Sequence, residues 1–152
     1  MKYITSILVA ATVLCACGGN KYDKEAAGII KMAQKEFEAK HYNRAILLID
    51  SMRTHFPQAI ETRKLALELY NNVSLAKAQT NLAHTDSALH MVTLRYETMK
   101  TYVDSMKESF NITEEQIREL NTTKAQLDSL KVQFDMECKK IKYIHKRMKT
   151  KN

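Results

Sequence analysis

Proline occurs once in the 152 residues, glycine three times and tryptophan not at all. After residue 19 the only such breakers are Gly28 and Pro57. An all-β fold needs many turns built from Gly, Pro, Asn and Asp, so this scarcity points to long helices. Chemistry-bearing patterns are equally sparse. The chain has no Cys-x-x-Cys, no glycine-rich phosphate loop and no His-Glu-x-x-His. His41, His55, His84, His90 and His145 are scattered, and the six-residue step from His84 to His90 does not put both on one helix face. Nothing suggests a His oriented by an acid beside an activated Ser. The reading is therefore non-enzymatic, with no cofactor, metal or small-molecule substrate. Eight methionines and the missing tryptophan fit loosely specified helix packing.

What the chain does have is a long apolar seam. Leu75, Ala78, Leu82, Thr85, Leu89, Val92, Tyr96, Met99, Val103, Met106 and Phe110 follow one another at steps of three and four. Thr85 is the one polar member, and such a series needs a partner helix along its length. Asn111-Ile112-Thr113 interrupts it. Thr113-Glu114-Glu115-Gln116 then matches a capping box, in which Thr and Gln side chains satisfy the first free N–H groups of a new helix. Beyond it runs a second seam in a shifted phase: Leu120, Thr123, Leu127, Leu130, Phe134, Glu137, Ile141, Ile144 and Met148. Segments 75–110 and 114–149 are both 36 residues long, which as helices would make arms of about 54 Å. Equal arms around a polar link suggest an antiparallel coiled-coil hairpin. One continuous helix that zips with a second chain, the shift being a stutter, is the alternative.

Ahead of the seams, Asp23 is placed to cap a helix reaching about Lys40, with Ile29, Ile30, Met32, Ala33 and Phe37 as its apolar stripe. His41-Tyr42-Asn43 reads as a tight turn. A second helix carries Ala45, Ile46, Leu48, Ile49 and Met52, and Pro57 suits the first turn of a third. Leu65, Leu67, Leu69, Tyr70 and Val73 form a broad apolar band before the strict seam begins. This stretch resembles one tetratricopeptide repeat on Met32-Ala33, Tyr42, Ala45 and Pro57, with Ile49 and Met52 in two further packing places. It departs from the pattern at Ile29, where an aromatic is usual, and at Glu36, where a Tyr is typical. A shift of thirty-four residues brings Leu67 and Gln79 to the small-residue places, so there is no second copy. The family's peptide groove needs stacked repeats, so the resemblance implies the helical pair alone.

The first sixteen residues read as a targeting segment. Lys2 gives a positive start, and residues 4–14 are an apolar run too short to span a bilayer. Leu14-Cys15-Ala16-Cys17 then resembles the bacterial lipoprotein signal, with Leu14 three places before the acylated Cys and a small residue directly before it. That resemblance implies cleavage before Cys17 and lipid on its thiol and new amine, a durable membrane hold when several chains are buried. An ordinary cleaved signal or a membrane-spanning anchor is the alternative. Gly18 stands where an inner-membrane retention signal would have Asp. Outer-membrane residence at the periplasmic face is thus implied, with surface exposure as the other option. Cys15 would leave with the signal, so Cys138 would be the only free thiol and no internal disulfide could form.

Two further sets of residues stand out. Asp-Ser pairs recur at Ser51, Ser87, Ser105 and Ser129, and four of the six aspartates precede serine. Three of these pairs sit in an echo that ends in Phe: at Phe56, Phe110 and Phe134. The heptad explains the apolar places of the echo but not the Asp-Ser pair. Asp-Ser followed by Ala, Leu or Met is similar to the O-glycosylation signal of periplasmic proteins in the Bacteroidota, which makes the four serines candidate glycan sites. Near the end come seven cations: Lys139, Lys140, Lys142, Lys146, Arg147, Lys149 and Lys151. Cations complement a helix C-terminus, and a solvated face is normally charged. As a functional feature they would contact an anionic surface such as lipid phosphate or lipopolysaccharide. Tyr143 is the only aromatic among them, a poor basis for stacking on nucleic acid. The net charge of +7, or +6 once Lys2 is removed, favours anionic neighbours in general.

The expected organisation is all-α and elongated: a signal over residues 1–16, a tether over 17–22, a tetratricopeptide-like helix-turn-helix region over 23–73 and a coiled-coil hairpin over 74–152. The expected work is that of a lipid-anchored scaffold or tether in the bacterial cell envelope, with a protein partner or a second copy engaged through the helices. An accessory subunit of an outer-membrane assembly complex is the alternative. A basic nucleic-acid-binding protein is the least supported reading.

Overall fold

The computed structural model describes residues 18–108 and 111–150. Four helices and no strand occur among them: α1 (Gly18–Glu38), α2 (Tyr42–His55), α3 (Ile60–Glu108) and α4 (Glu114–Lys149). The chain is all-α. It divides into two compact units, Met1–Tyr70 and Asn71–Asn152.

In the first unit, α1 and α2 pack through small residues. Ala26, Ala33 and Ala45 are fully buried, which lets the two backbones approach, and Ile49 and Met52 fill the space beside them. Tyr22, Ile29, Ile30 and Phe37 complete the half-buried stripe of α1 at helical spacing. Phe37 and Tyr42 meet with ring centroids 6.1 Å apart across the turn. The first turns of α3 bury Thr62, Ala66 and Leu69.

Several local expectations need correction. Among the described residues α1 runs from Gly18, so positions 18–22 of the expected tether are helical and Asp23 lies within the helix. The start of α1 is held instead by tertiary contact, for Tyr22 packs on Phe56 at 4.9 Å. At the other end, Lys40 N–H bonds Phe37 O at 2.9 Å and His41 N–H bonds Glu36 O at 2.8 Å. That is the Schellman pattern, and Lys40 takes the left-handed position with φ 62°. Glu36, anomalous as a repeat residue, accepts from the His41 ring at 2.9 Å and lies 3.4 Å from Arg44. Pro57 is not in the first turn of a helix. Phe56 closes α2, Ala59 N–H bonds Phe56 O at 3.2 Å, and Pro57 sits second in that four-residue turn, where its fixed φ is favourable. The apolar stripe is also narrower than the composition suggests: Met32 is 50% exposed and Leu65 59%.

In the second unit the seams govern burial. All ten described residues of the first series, Leu75 to Met106, are buried or half-buried, as are all nine of the second, Leu120 to Met148. Most residues between them are exposed. Val103, Ala78, Leu127 and Ile144 are the best-covered apolar members of the two series, and Thr123 and Glu137 are buried among them. Side chains of α3 and α4 touch at Arg95–Glu119 (2.7 Å), Met99–Thr123 (3.5 Å) and Tyr102–Gln116 (3.3 Å). Thr113 forms the capping box with Gln116: its hydroxyl accepts from Gln116 N–H at 3.3 Å, and its own N–H donates to Gln116 Oε1 at 2.9 Å. Glu114 and Glu115 at the start of α4 and Lys146, Arg147 and Lys149 at its end complement the helix dipole.

Candidate functional site

Cys17 and Lys151, two of the residues singled out in the sequence, lie outside the described residues. Tyr22 hydroxyl donates to His55 O at 3.0 Å, and its ring lies against Phe56. The N-terminal end of α1 therefore sits on the turn that joins α2 to α3.

The same turn carries a feature the sequence did not flag. Arg53, Pro57, Ile60, Arg63, Lys64 and Leu67 line a shallow groove of about 290 Å³. Three cations surround three apolar side chains, and no acid lines the groove. The signal was present as three cations flanking the only proline, but no periodicity marks it, because its members come from α2, the turn and α3.

The four candidate serines lie on helices and are exposed: Ser51 on α2, Ser87 and Ser105 on α3, Ser129 on α4. Ser87 and Ser105 donate to the carbonyls of Ala83 (3.1 Å) and Tyr102 (2.7 Å), and Ser51 lies 3.4 Å from the His55 ring. The aspartates before them have a packing-independent role. Asp50 pairs with Arg53 at 3.8 Å, Asp104 with Lys107 at 3.6 Å and Asp128 with Lys124 at 2.8 Å. Ion pairing one turn away thus accounts for the Asp of three of these dipeptides. The hydrogen bond from Lys124, assisted by its charge, holds the Asp128 carboxyl below its ordinary value of 3.8, against a smaller opposing effect of desolvation. The same hydrogen bond and the Asp128 charge hold Lys124 above 10.5.

The basic residues near the end of α4 divide in two. Lys139, Lys142, Lys146 and Lys149 are exposed and follow one another at steps of three, four and three, so they form one stripe. Glu137, Ile141, Ile144 and Met148, at the complementary spacing, face the covered side. Lys140 is tied to Glu137 at 2.6 Å, and Arg147 stacks over the Tyr143 ring at 5.8 Å. Cys138 is half-buried and free. His84, His90 and His145 are exposed, and no group of three or more His, Cys, Asp or Glu that could hold a metal ion occurs among the described residues. None of the described helices is long and apolar enough to cross a membrane.

No protein-family model, no curated protein and no solved structure matches this chain.

Proposed function

We propose that this chain is a bacterial lipoprotein, acylated on Cys17 at the periplasmic face of the outer membrane, that serves as a non-enzymatic scaffold or tether in the cell envelope. The observation that carries the reading is Leu14-Cys15-Ala16-Cys17 at the end of a short apolar run with one preceding lysine. Two facts support a scaffolding role. Burial in α3 and α4 follows two long seams, and the cross-contacts Arg95–Glu119, Met99–Thr123 and Tyr102–Gln116 favour a folded-back pair over a single continuous helix. Val132, Met136 and Tyr143 are also exposed on one face of α4, at spacings of four and seven, and would serve a protein partner or a second copy.

The role as accessory subunit of an outer-membrane assembly complex is the second reading. It draws on Ala33 and Ala45, the two small residues of the repeat-like pair, both fully buried in the first unit. Membrane fractionation of the parent and of Cys17→Ser tests the anchor: the parent should sediment with membranes and the variant should leave them. A variant that stays behind in full would refute it. Crosslinking in native membranes then separates the two roles. Recovery of outer-membrane assembly components would favour the second, and recovery of structural envelope proteins the first. The stripe of Lys139, Lys142, Lys146 and Lys149 is proposed to meet an anionic surface, and neutralising it should lower membrane association in a salt-dependent way. Glycan on Ser51, Ser87, Ser105 or Ser129 should appear as added intact mass in protein from the native host; an unmodified mass excludes it.

A further inference from the structure

The groove on the α2–α3 turn lies at the end of the first unit from which the anchor would extend. Tyr22 is fixed there by its bond to His55 O and its contact with Phe56. Cys17 is five residues earlier, and five residues span at most about 18 Å. A lipid on Cys17 therefore keeps this end of the unit close to a bilayer, whatever path the intervening chain takes.

The groove has the chemistry of such a surface. Ile60 is 65% exposed and stands beside Pro57 and Leu67, while Arg53, Arg63 and Lys64 ring these apolar groups. The Arg63 guanidinium donates to a neutral acceptor, Pro57 O, at 2.8 Å. Arg53 and Lys64 have carboxylate partners one turn away, Asp50 at 3.8 Å and Glu61 at 2.8 Å, but these are exposed i,i+3 pairs of the kind that are readily exchanged. Long cationic side chains can lie along apolar surface while their heads reach phosphate.

We propose that this groove is a membrane-docking surface: Pro57 and Ile60 enter the headgroup boundary, and Arg53, Arg63 and Lys64 bind the phosphates of anionic phospholipid. The proposal rests on the acylation of Cys17, which raises the local lipid concentration enough for a small contact to persist. An acidic protein segment would match the charges equally well. Proximity to the anchor favours the bilayer.

Because the chain has no tryptophan, Ile60→Trp introduces a single, selectively excited tryptophan into the groove and Leu47→Trp one at an exposed site on α2 outside it. Each mature variant is placed on vesicles of phosphatidylcholine, with or without phosphatidylglycerol, and with brominated lipid as quencher. Circular dichroism checks that the helices are retained. Emission from position 60 should shift to the blue and be quenched on the anionic vesicles, while that from position 47 should not. Adding Arg53→Gln, Arg63→Gln and Lys64→Gln should lower the ratio of lipid-buried to water-exposed emission roughly a hundredfold at low salt, about fivefold per charge.

Emission from position 60 that matches position 47 on vesicle-bound protein would overturn the proposal. A blue shift in native membranes without quenching by brominated lipid would identify a protein occupant and overturn it too. The mass of the N-terminal peptide reports the anchor separately. An acylated Cys17 with position 60 in water leaves the anchor standing and sinks the groove. An unacylated Cys17 sinks the anchor and, with it, the ground for a lipid occupant of the groove, whatever position 60 shows.

Discussion

Replacing Glu137 with leucine should make the protein more stable. Glu137 occupies a seam position on α4, and its side chain is 9% exposed. One carboxylate oxygen meets Lys140 Nζ at 2.6 Å, and the other has no partner among the described residues. Lys140 is itself 52% exposed, so solvent screens the pair and its net worth is at most about 1 kcal/mol. Against that stand the desolvation of a carboxylate and the lost chance to bury an apolar side chain, worth about 1.5–3 kcal/mol for leucine. The difference is a gain of about 2 kcal/mol for Glu137→Leu. Urea unfolding followed by helix dichroism measures it through the midpoint at unchanged slope. Lys140→Met should act in the opposite direction, by about 1 kcal/mol, since it leaves the carboxylate alone. In the Glu137→Leu background the same change should be nearly silent, within about 0.5 kcal/mol. A Glu137→Leu protein less stable than its parent would refute the reasoning and show that the carboxylate has a favourable partner in solution.

Three more outcomes follow from local geometry. Lys40→Gly relieves a left-handed backbone at a helix end and should stabilise the first unit by about 1 kcal/mol, read from the same unfolding curves. Thr113→Ala removes the side-chain half of the capping box and should cost about 1 kcal/mol, whereas Thr113→Ser should cost little. By carboxyl NMR, Asp128 should titrate below 3.8, and Lys124→Met should return it toward that value. Since its folded value is depressed, any stability it contributes is present above 3.8 and lost as pH falls through the folded value.

How legible the fold was depended on how often each signal repeats. The seams recur every three or four residues over 36-residue stretches, so a polar intruder such as Thr85 or Glu137 does not mask them, and the burial of α3 and α4 follows. The capping box was also readable, because Thr113 and Gln116 act on each other across one turn with no help from elsewhere. Single-residue punctuation was less secure. Asp23 offers a cap, yet Tyr22 packs on Phe56 and α1 extends past it. Pro57 is compatible with a helix start and equally with the second place of a turn, and the bond from Ala59 N–H to Phe56 O decides for the turn. Met32 and Leu65 looked apolar enough to be core, but alanines at the α1–α2 contact and at Ala66 take the buried places, leaving the larger side chains outside. The groove was illegible for a different reason: Arg53, Ile60 and Arg63 become neighbours only once the chain has turned at Pro57.

The mass of the mature N-terminal peptide, taken from bacterial membranes, tests the central claim most directly. A peptide that begins at Cys17 and carries acyl chains on its thiol and amine is the predicted result. A chain that begins elsewhere, or a Cys17 with a free thiol, would contradict it.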